Sequence, residues 1–181
     1  MYNLTMLGVQ LKVTRLSLFL ILVQTILQAC SSNPQTEPSQ LQQAVVVKQQ
    51  PSIVNLEIKS AADVNPDTDG IGSPVMLRIY ELRETSGFNS ADFFSLFNND
   101  QSTLSTESAR KQELLIKPGD IKPLSIQLES EIRALGFFVA FRQVDTAQWR
   151  AIMPITPNKT QSAVINLRGN KLVLEPVGTG H

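Results

Sequence analysis

A twelve-residue stretch, DVNPDTDGIGSP at positions 63–74, carries oxygen-bearing side chains at every second position, namely Asp63, Asn65, Asp67 and Asp69. Carboxylate and amide oxygens are the ligands that Ca²⁺ prefers, so one interpretation is a calcium loop. A second interpretation is a loop offered to a binding partner, because loops of this length inside a compact domain are uncommon unless they are functional or disordered. A third is a solvated connection, since Asp, Asn, Pro and Gly all form turns.

The spacing fits an EF-hand calcium loop only in its first half. Asn65, Asp67, Asp69 and Gly70 match positions 1, 3, 5 and 6 of that motif, but the twelfth position, where a bidentate Glu belongs, holds Met76. The flanking segments also have the pattern of strands rather than helices. We therefore expect no tight metal site in this stretch.

The sequence offers little to an enzyme. Its one histidine is His181, the last residue, so a Ser-His-Asp or Cys-His arrangement would depend on a chain end for its base. Paired acids such as Glu129 and Glu131 have no apolar context that would raise one pKa. Neither a phosphate-binding glycine loop nor a His/Cys metal set is present. We predict no catalytic residues, no cofactor and no small-molecule substrate.

The N-terminal segment 1–29 has the composition of a secretory signal. Lys12 and Arg15 precede an apolar run at 16–23, and the run is too short and interrupted for the ~20 apolar residues of a stable membrane span. Its end, LQAC at 27–30, resembles the bacterial lipobox, which implies diacylation of Cys30. The alternative is a plain signal peptide followed by an incidental cysteine.

The next segment predicts a flexible tether, because residues 30–52 are rich in Ser, Gln, Pro, Thr and Asn apart from Ala-Val-Val-Val at 44–47. Residues 53–181 have the size of one domain. Without the two cations of the signal, 14 basic residues face 16 acidic ones, a formal charge of −2. That balance argues against nucleic acid as a partner. Cys30 is the only cysteine, so no intramolecular disulfide forms.

Apolar residues beyond residue 52 recur mainly with period two, which predicts short strands. The predicted strands lie near 54–58, 74–82, 113–116, 124–128, 137–141, 149–153, 164–167 and 172–174. Phe93, Phe94 and Phe97 instead have helical spacing, with Ser90 as their expected N-cap, and we expect all three in the core. The chain is therefore predicted to be all-β, an antiparallel two-sheet sandwich with a short helical insertion between its second and third strands.

Several segments in order resemble the TssJ family of type VI secretion lipoproteins (VasD/SciN-like). They are NPDTDG at 65–70, SPVMLRIYEL at 73–82, FNSADFFSL at 88–96, LIKPG at 115–119, 136–142 and WRA at 149–151. The resemblance implies a transthyretin-like sandwich, held by lipid on Cys30 at the periplasmic face of the outer membrane. Ser31 resembles the rule for delivery to that membrane.

The resemblance also implies a protein partner, the periplasmic C-terminal region of the inner-membrane protein TssM. In this family much of the contact comes from the loop between the first two strands. That loop here comprises Asp63, Val64, Asn65, Pro66, Asp67, Thr68, Asp69, Gly70, Ile71, Gly72 and Ser73. If it is an interaction loop on a rigid sandwich, replacing it with a short Gly-Ser connection should barely alter stability, whereas partner binding should fall steeply.

A rival interpretation is an outer-membrane lipoprotein that binds calcium or another ligand. Such a protein could use an exposed aromatic side chain, Trp149 or Tyr80, on the face of the sandwich. Trp149 is two residues from Ala151 and four from Met153, so the three side chains should lie on the same face of the strand. This predicts a core position for the Trp149 ring instead.

Overall fold

Within residues 50–178 the chain forms eight strands and two short helices, and the strands coincide with the alternating segments of the sequence. The structure is a computed structural model that describes residues 50–178. The signal segment, Cys30, the tether up to residue 49 and His181 lie outside the described residues. The elements are β1 (Ser52–Ser60), β2 (Val75–Leu82), α1 (Ser86–Ser90), α2 (Phe93–Leu104), β3 (Ser108–Ile116), β4 (Ile121–Leu128), β5 (Ala134–Val139), a 3₁₀ turn (Val144–Thr146), β6 (Arg150–Pro154), β7 (Thr160–Arg168) and β8 (Lys171–Val177).

The strands form two four-stranded sheets. Sheet A has the order β4-β1-β7-β8, and sheet B has the order β3-β2-β5-β6. All pairs are antiparallel except β1 with β7, which run parallel. The predicted all-β sandwich with a helical insertion after the second strand is confirmed. The parallel pair was not foreseen, because alternation within a strand does not report the direction of its neighbours.

The main core lies between the two sheets. One parity of each strand faces inward, so that Val54 and Ile58 of β1 and Ile165 of β7 are fully buried against Leu77 and Phe137 of sheet B. Burying each such side chain stabilises the fold by roughly 1.5–3 kcal/mol. With no disulfide available within residues 50–178, this packing holds the sheets together.

A second apolar cluster covers the outer face of sheet B. Phe88 of α1 and Phe93, Leu96 and Leu104 of α2 pack there, and the sheet contributes Tyr80, Leu82, Ala134 and Phe138. Strand β5 is consequently buried on both faces, as its apolar sequence predicted. The insertion is therefore a third layer of the domain.

Two predictions about the insertion were wrong. Asp92, not Ser90, caps α2, because its Oδ1 accepts a hydrogen bond from Ser95 N at 2.9 Å, while Ser90 ends α1. The Ser95 hydroxyl and amide also lower the pKa of Asp92. Of the three phenylalanines only Phe93 is buried, whereas Phe94 is 61% exposed and Phe97 is 39% exposed. A helix that lies on a sheet can bury only the narrow side that faces it.

A buried cation fixes α2 to the sheet. Arg78 of β2 donates from Nη1 to the carbonyls of Leu96 and Phe97, at 2.8 and 3.0 Å, just before α2 kinks at Asn99. Its Nε lies 2.9 Å from Glu113 Oε1, in an orientation that makes an ion pair rather than a hydrogen bond. Arg78 thereby satisfies carbonyls that the kink frees and keeps its own charge compensated.

Tyr80 and Asp100 extend this polar contact beneath α2. The Tyr80 hydroxyl donates to Asp100 Oδ2 at 3.0 Å, and Lys111 Nζ lies 2.7 Å from the same oxygen. Burial raises the pKa of Tyr80 well above its usual value, so the phenol stays protonated as a donor. Within residues 50–178 no helix is long and apolar enough to cross a membrane.

Gly136 of β5 provides a test of how closely the insertion packs. A Cβ at this position would lie 2.9 Å from Leu82 Cδ1 and 3.0 Å from Phe88 Cζ. We expect Gly136→Ala to lower the free energy of unfolding by ~1–3 kcal/mol, because the added methyl overpacks the interface between α1 and the sheet. Gly178→Ala, which meets nothing within 4 Å, is the control. Equal denaturant midpoints for the two variants would contradict this packing.

Candidate functional site

The topology gathers four connections at one end of the sandwich, which we call the loop end. They are the β1–β2 loop, the β3–β4 turn, the β5–β6 loop and the β7–β8 turn. Backbone bonds join them: Ser60 N donates to Asp120 O at 2.9 Å, Asn65 N to Gly169 O at 2.8 Å, and Gln148 N to Asn170 O at 2.9 Å. The helical insertion leaves β2 at the opposite end, where β1 also begins.

The base of the β1–β2 loop belongs to the fold. Val64 is fully buried in the main core, and Asn65 and Ser73 are buried beside it. Ser73 N donates to Val64 O at 2.9 Å, which closes the two arms of the loop. The expectation that a short connection could replace all of 63–73 was therefore wrong, because such a replacement would remove a core side chain.

Asn65 ties the loop to its neighbours. Its Nδ2 donates to Pro74 O at 3.1 Å, and its Oδ1 accepts from Arg142 N in the β5–β6 loop at 2.9 Å. Its φ of 47° is in the left-handed region, which asparagine adopts more readily than most residues. The sequence pattern predicted Asn65 as a site residue but not Arg142 or Gly169, since nothing in their local sequence indicates contact with a residue about 80–100 positions away.

Asp67 organises the tip of the loop, residues 67–71. Its Oδ1 accepts from Asp69 N at 3.0 Å and from Ile71 N at 2.9 Å, and its own N–H donates to Ile71 O at 2.9 Å. Gly70 completes the turn with a φ of 80°. The tip is thus a self-bonded turn that exposes Thr68, Asp69 and the side chain of Ile71, which is 65% exposed.

Gly72 lets the loop lie against the β3–β4 turn. A Cβ at Gly72 would clash with the carbonyl oxygen of Ala62 and would lie 3.3 Å from Pro118 Cγ. The β3–β4 turn is itself braced, because Lys117 N donates to Asp120 Oδ2 at 2.9 Å. That backbone hydrogen bond also lowers the pKa of Asp120. Two restrained connections therefore support each other.

The geometry does not favour the calcium interpretation. The Asn65 and Asp67 oxygens described above accept hydrogen bonds from backbone amides of the chain itself. Residues 50–178 contain no group of three or more His, Cys, Asp or Glu side chains that could hold a metal ion. What the loop end can do chemically is present a shaped surface that carries charges of both signs, among them Asp69, Lys117 and Arg142, and the exposed side chains of Ile71 and Ile121.

The aromatic side chains of the ligand-binding alternative are not free. Tyr80 is 1% exposed beneath α2, and the depression of about 350 Å³ beside it is lined by Asp100 and Lys111, which pair with each other. Trp149 is half-buried, less than its parity predicted, because β6 is an edge strand. Its ring packs edge-on to Phe93 and Phe138 and lies under Arg150.

Comparison with known proteins agrees with this architecture. No curated protein sequence matches the chain. A solved structure of the T6SS lipoprotein TssJ1 from Pseudomonas aeruginosa shares 31% identity, covers 72% of this chain and 99% of its own, and superposes with a TM-score of 0.70. A structure described as Serratia marcescens Lip, a membrane-bound component of the type VI secretion system, shares 24% identity over 72% of this chain and 99% of its own, with a TM-score of 0.61.

A third structure, described as a type VI membrane complex, shares 25% identity over 70% of this chain and 100% of the matched chain, with a TM-score of 0.61. The family model for type VI secretion lipoproteins (T6SS-SciN: VasD, EvfM, TssJ) matches residues 52–170. That family is a structural component of a secretion system rather than an enzyme, as the sequence predicted. The chain therefore belongs to the TssJ/VasD family of type VI secretion lipoproteins.

Proposed function

We propose that this protein is anchored by lipid on Cys30 to the periplasmic face of the outer membrane and binds the periplasmic C-terminal region of TssM. It would thereby tether the membrane complex of the secretion system to the outer membrane. Family membership supports this role, and one matched structure is described as a type VI membrane complex. The observation that carries the proposal is the pre-organised tip 67–71, which Asp67 holds in one shape.

The energetics suit a recognition loop. Association is costly when a partner must first order a flexible segment, and a loop that is already restrained avoids much of that loss. Here Val64 and Asn65 fix the base, Asp67 fixes the tip, and Gly72 lies against Pro118. The exposed acid of the tip, Asp69, would contribute less than the shaped segment as a whole, because charges at the rim of an interface are screened.

The positions of the start of β1 and of the loop end also suit a tethering role. Strand β1 begins at the end opposite to the loop end, so the polypeptide leading to Cys30 joins the domain far from the proposed contact. Nine residues of β1 span about 30 Å at the usual rise per residue of a strand. An attached lipid and a bound partner could therefore occupy the two ends at once.

Replacing the tip residues 67–71 with five Gly and Ser residues tests the proposed contact. We expect the affinity for the TssM periplasmic region to fall at least about tenfold, since the contact residues lose their shape. The melting temperature should change little, because Val64, Asn65 and Ser73 remain in place. Titration calorimetry and thermal unfolding measure the two quantities.

The matched control replaces residues 156–159, an exposed connection at the opposite end, in the same way. An unchanged affinity after replacement of the tip, or an equal loss in the control, would contradict the assignment of the loop.

Substitutions of Asn65 test what holds the shape of the loop without changing its exposed side chains. Asn65→Gly keeps the left-handed backbone accessible but loses both side-chain hydrogen bonds, so we expect stability to fall by ~1–3 kcal/mol. Asn65→Ala should fall further, since alanine tolerates a φ of 47° poorly. Denaturant unfolding gives the order, and faster hydrogen exchange at the Arg142 amide would report the lost bond. Equal stability of wild type and Asn65→Gly would show that the side chain does not hold the loop.

Cys30→Ser tests the anchor. Without the thiol no acyl chain attaches, and three chains at ~0.8 kcal/mol per buried CH₂ group would otherwise hold the protein firmly at the bilayer. We expect the variant to move from the detergent phase to the aqueous phase on detergent partitioning, whereas Ser32→Ala stays in the detergent phase. Partitioning of Cys30→Ser into detergent would rule out lipid on this residue as the anchor.

A further inference from the structure

An exposed apolar strip runs along the outer face of sheet B, between α2 and the loop end. Its members come from five elements or their borders: Phe94, Phe97, Met76, Leu115, Ala140 and Trp149. Leu115 and Phe94 are 60% and 61% exposed, and Met76, Ala140 and Trp149 are half-buried. Contiguous apolar surface of this kind on a folded domain marks interaction sites more often than scattered apolar residues do.

On the sheet side, the strip is formed by side chains of neighbouring strands. Leu115 of β3 lies directly opposite Met76 of β2 in the register. On the other side of β2, Ala140 N donates to Met76 O at 3.0 Å, so Leu115, Met76 and Ala140 form one row of side chains about 5 Å apart on this face. Trp149 precedes β6 opposite the inward-facing Val139, and it joins the strip through its ring, which packs against Phe93 and Phe138.

The helix side comes from one flank of α2. Phe97 stacks on the buried Phe93 at 5.8 Å and lies 5.7 Å from the guanidinium of Arg78, two residues along β2 from Met76. Phe94 packs edge-on against Phe93 at 5.3 Å. Leu96, on the other flank, is fully buried in the cluster beneath the insertion. The two exposed rings are thus held by buried neighbours rather than free to fold inward.

The strip is continuous with the β1–β2 loop at two points. Met76 follows the buried Ser73 by three residues, through the exposed Pro74. At the other side, Asn65 accepts from Arg142 N, two residues beyond Ala140. The base of the loop therefore adjoins the apolar strip, and a molecule that covers the loop has the strip as a neighbouring surface.

We propose that the strip is a second contact surface for the same periplasmic partner. An apolar segment of that partner binds the strip, while the polar residues around that segment bind the loop tip. This inference rests on the proposed function. The buried cluster beneath the strip keeps Phe94, Phe97 and Trp149 in place before binding, so the surface is pre-organised in the same way as the loop.

The test compares a double variant, Phe94→Ser with Leu115→Ser, against Val177→Ser. Val177 is 49% exposed and lies on the outer face of sheet A, away from the strip. All three side chains are largely outside the core, so the melting temperatures should stay close to wild type. We expect the double variant to bind the TssM periplasmic region about tenfold or more weakly, and Val177→Ser to bind as wild type does.

The outcomes separate this inference from the proposed function. If the double variant binds as wild type does while replacement of the tip 67–71 weakens binding, the strip is not a contact surface and the proposed function stands. If the wild-type protein does not bind the partner region at all, the proposed function itself fails. Self-association of the partner-free protein in analytical ultracentrifugation, lost in the double variant, would assign the strip to a second copy of this chain and overturn the inference.

Discussion

Everything outside the main core depends on sheet B being apolar on both faces. Strands β2 and β5 alternate between two sets of buried side chains, with Leu77 and Phe137 facing sheet A and Leu82 and Phe138 facing outward. A sheet of this kind cannot face water on its second side, so the insertion after β2 is a structural requirement. Arg78 sets the position of that cover, because its guanidinium binds the carbonyls where α2 kinks. The flank of α2 that then remains exposed is a consequence of this placement.

The same topology makes the two ends of the domain structurally different. The parallel pairing of β1 with β7 places the turns that follow both strands at one end, where Gly169 O reaches Asn65 N. Antiparallel pairing of all remaining neighbours brings the β3–β4 and β5–β6 connections to that end as well. A loop between two strands becomes a shaped surface there, because three neighbouring connections supply the hydrogen-bond partners that an isolated loop lacks.

Local alternation of apolar and polar residues predicted the strands. Features that depend on contacts between distant parts of the chain were not predicted. Strand β1 was visible because Val54, Leu56 and Ile58 alternate with polar residues. The first half of β3, Ser108 to Gln112, lay outside the strand predicted near 113–116, since an edge strand bearing Arg110 and Lys111 has few apolar positions to reveal its period.

Within the candidate site the same limit holds. The sequence delimited the β1–β2 loop and named Asn65 and Asp67, yet it gave no sign that Val64 enters the core. Burial of a loop residue follows from where the chain turns back, which is a property of the whole fold. The exposure of Phe94 likewise depends on how α2 lies on the sheet, and helical spacing alone could not distinguish it from Phe93.

The half-match to a calcium loop has a physical cause of its own. A calcium site and a tight self-bonded turn both need short oxygen-bearing side chains where the backbone bends, and both need glycine where φ is positive. In this loop the Oδ1 atom of Asp67 accepts the amides of Asp69 and Ile71, and Gly70 adopts a φ of 80°. Asp67 therefore joins the backbone of the turn by hydrogen bonds, much as an ion would join it by coordination.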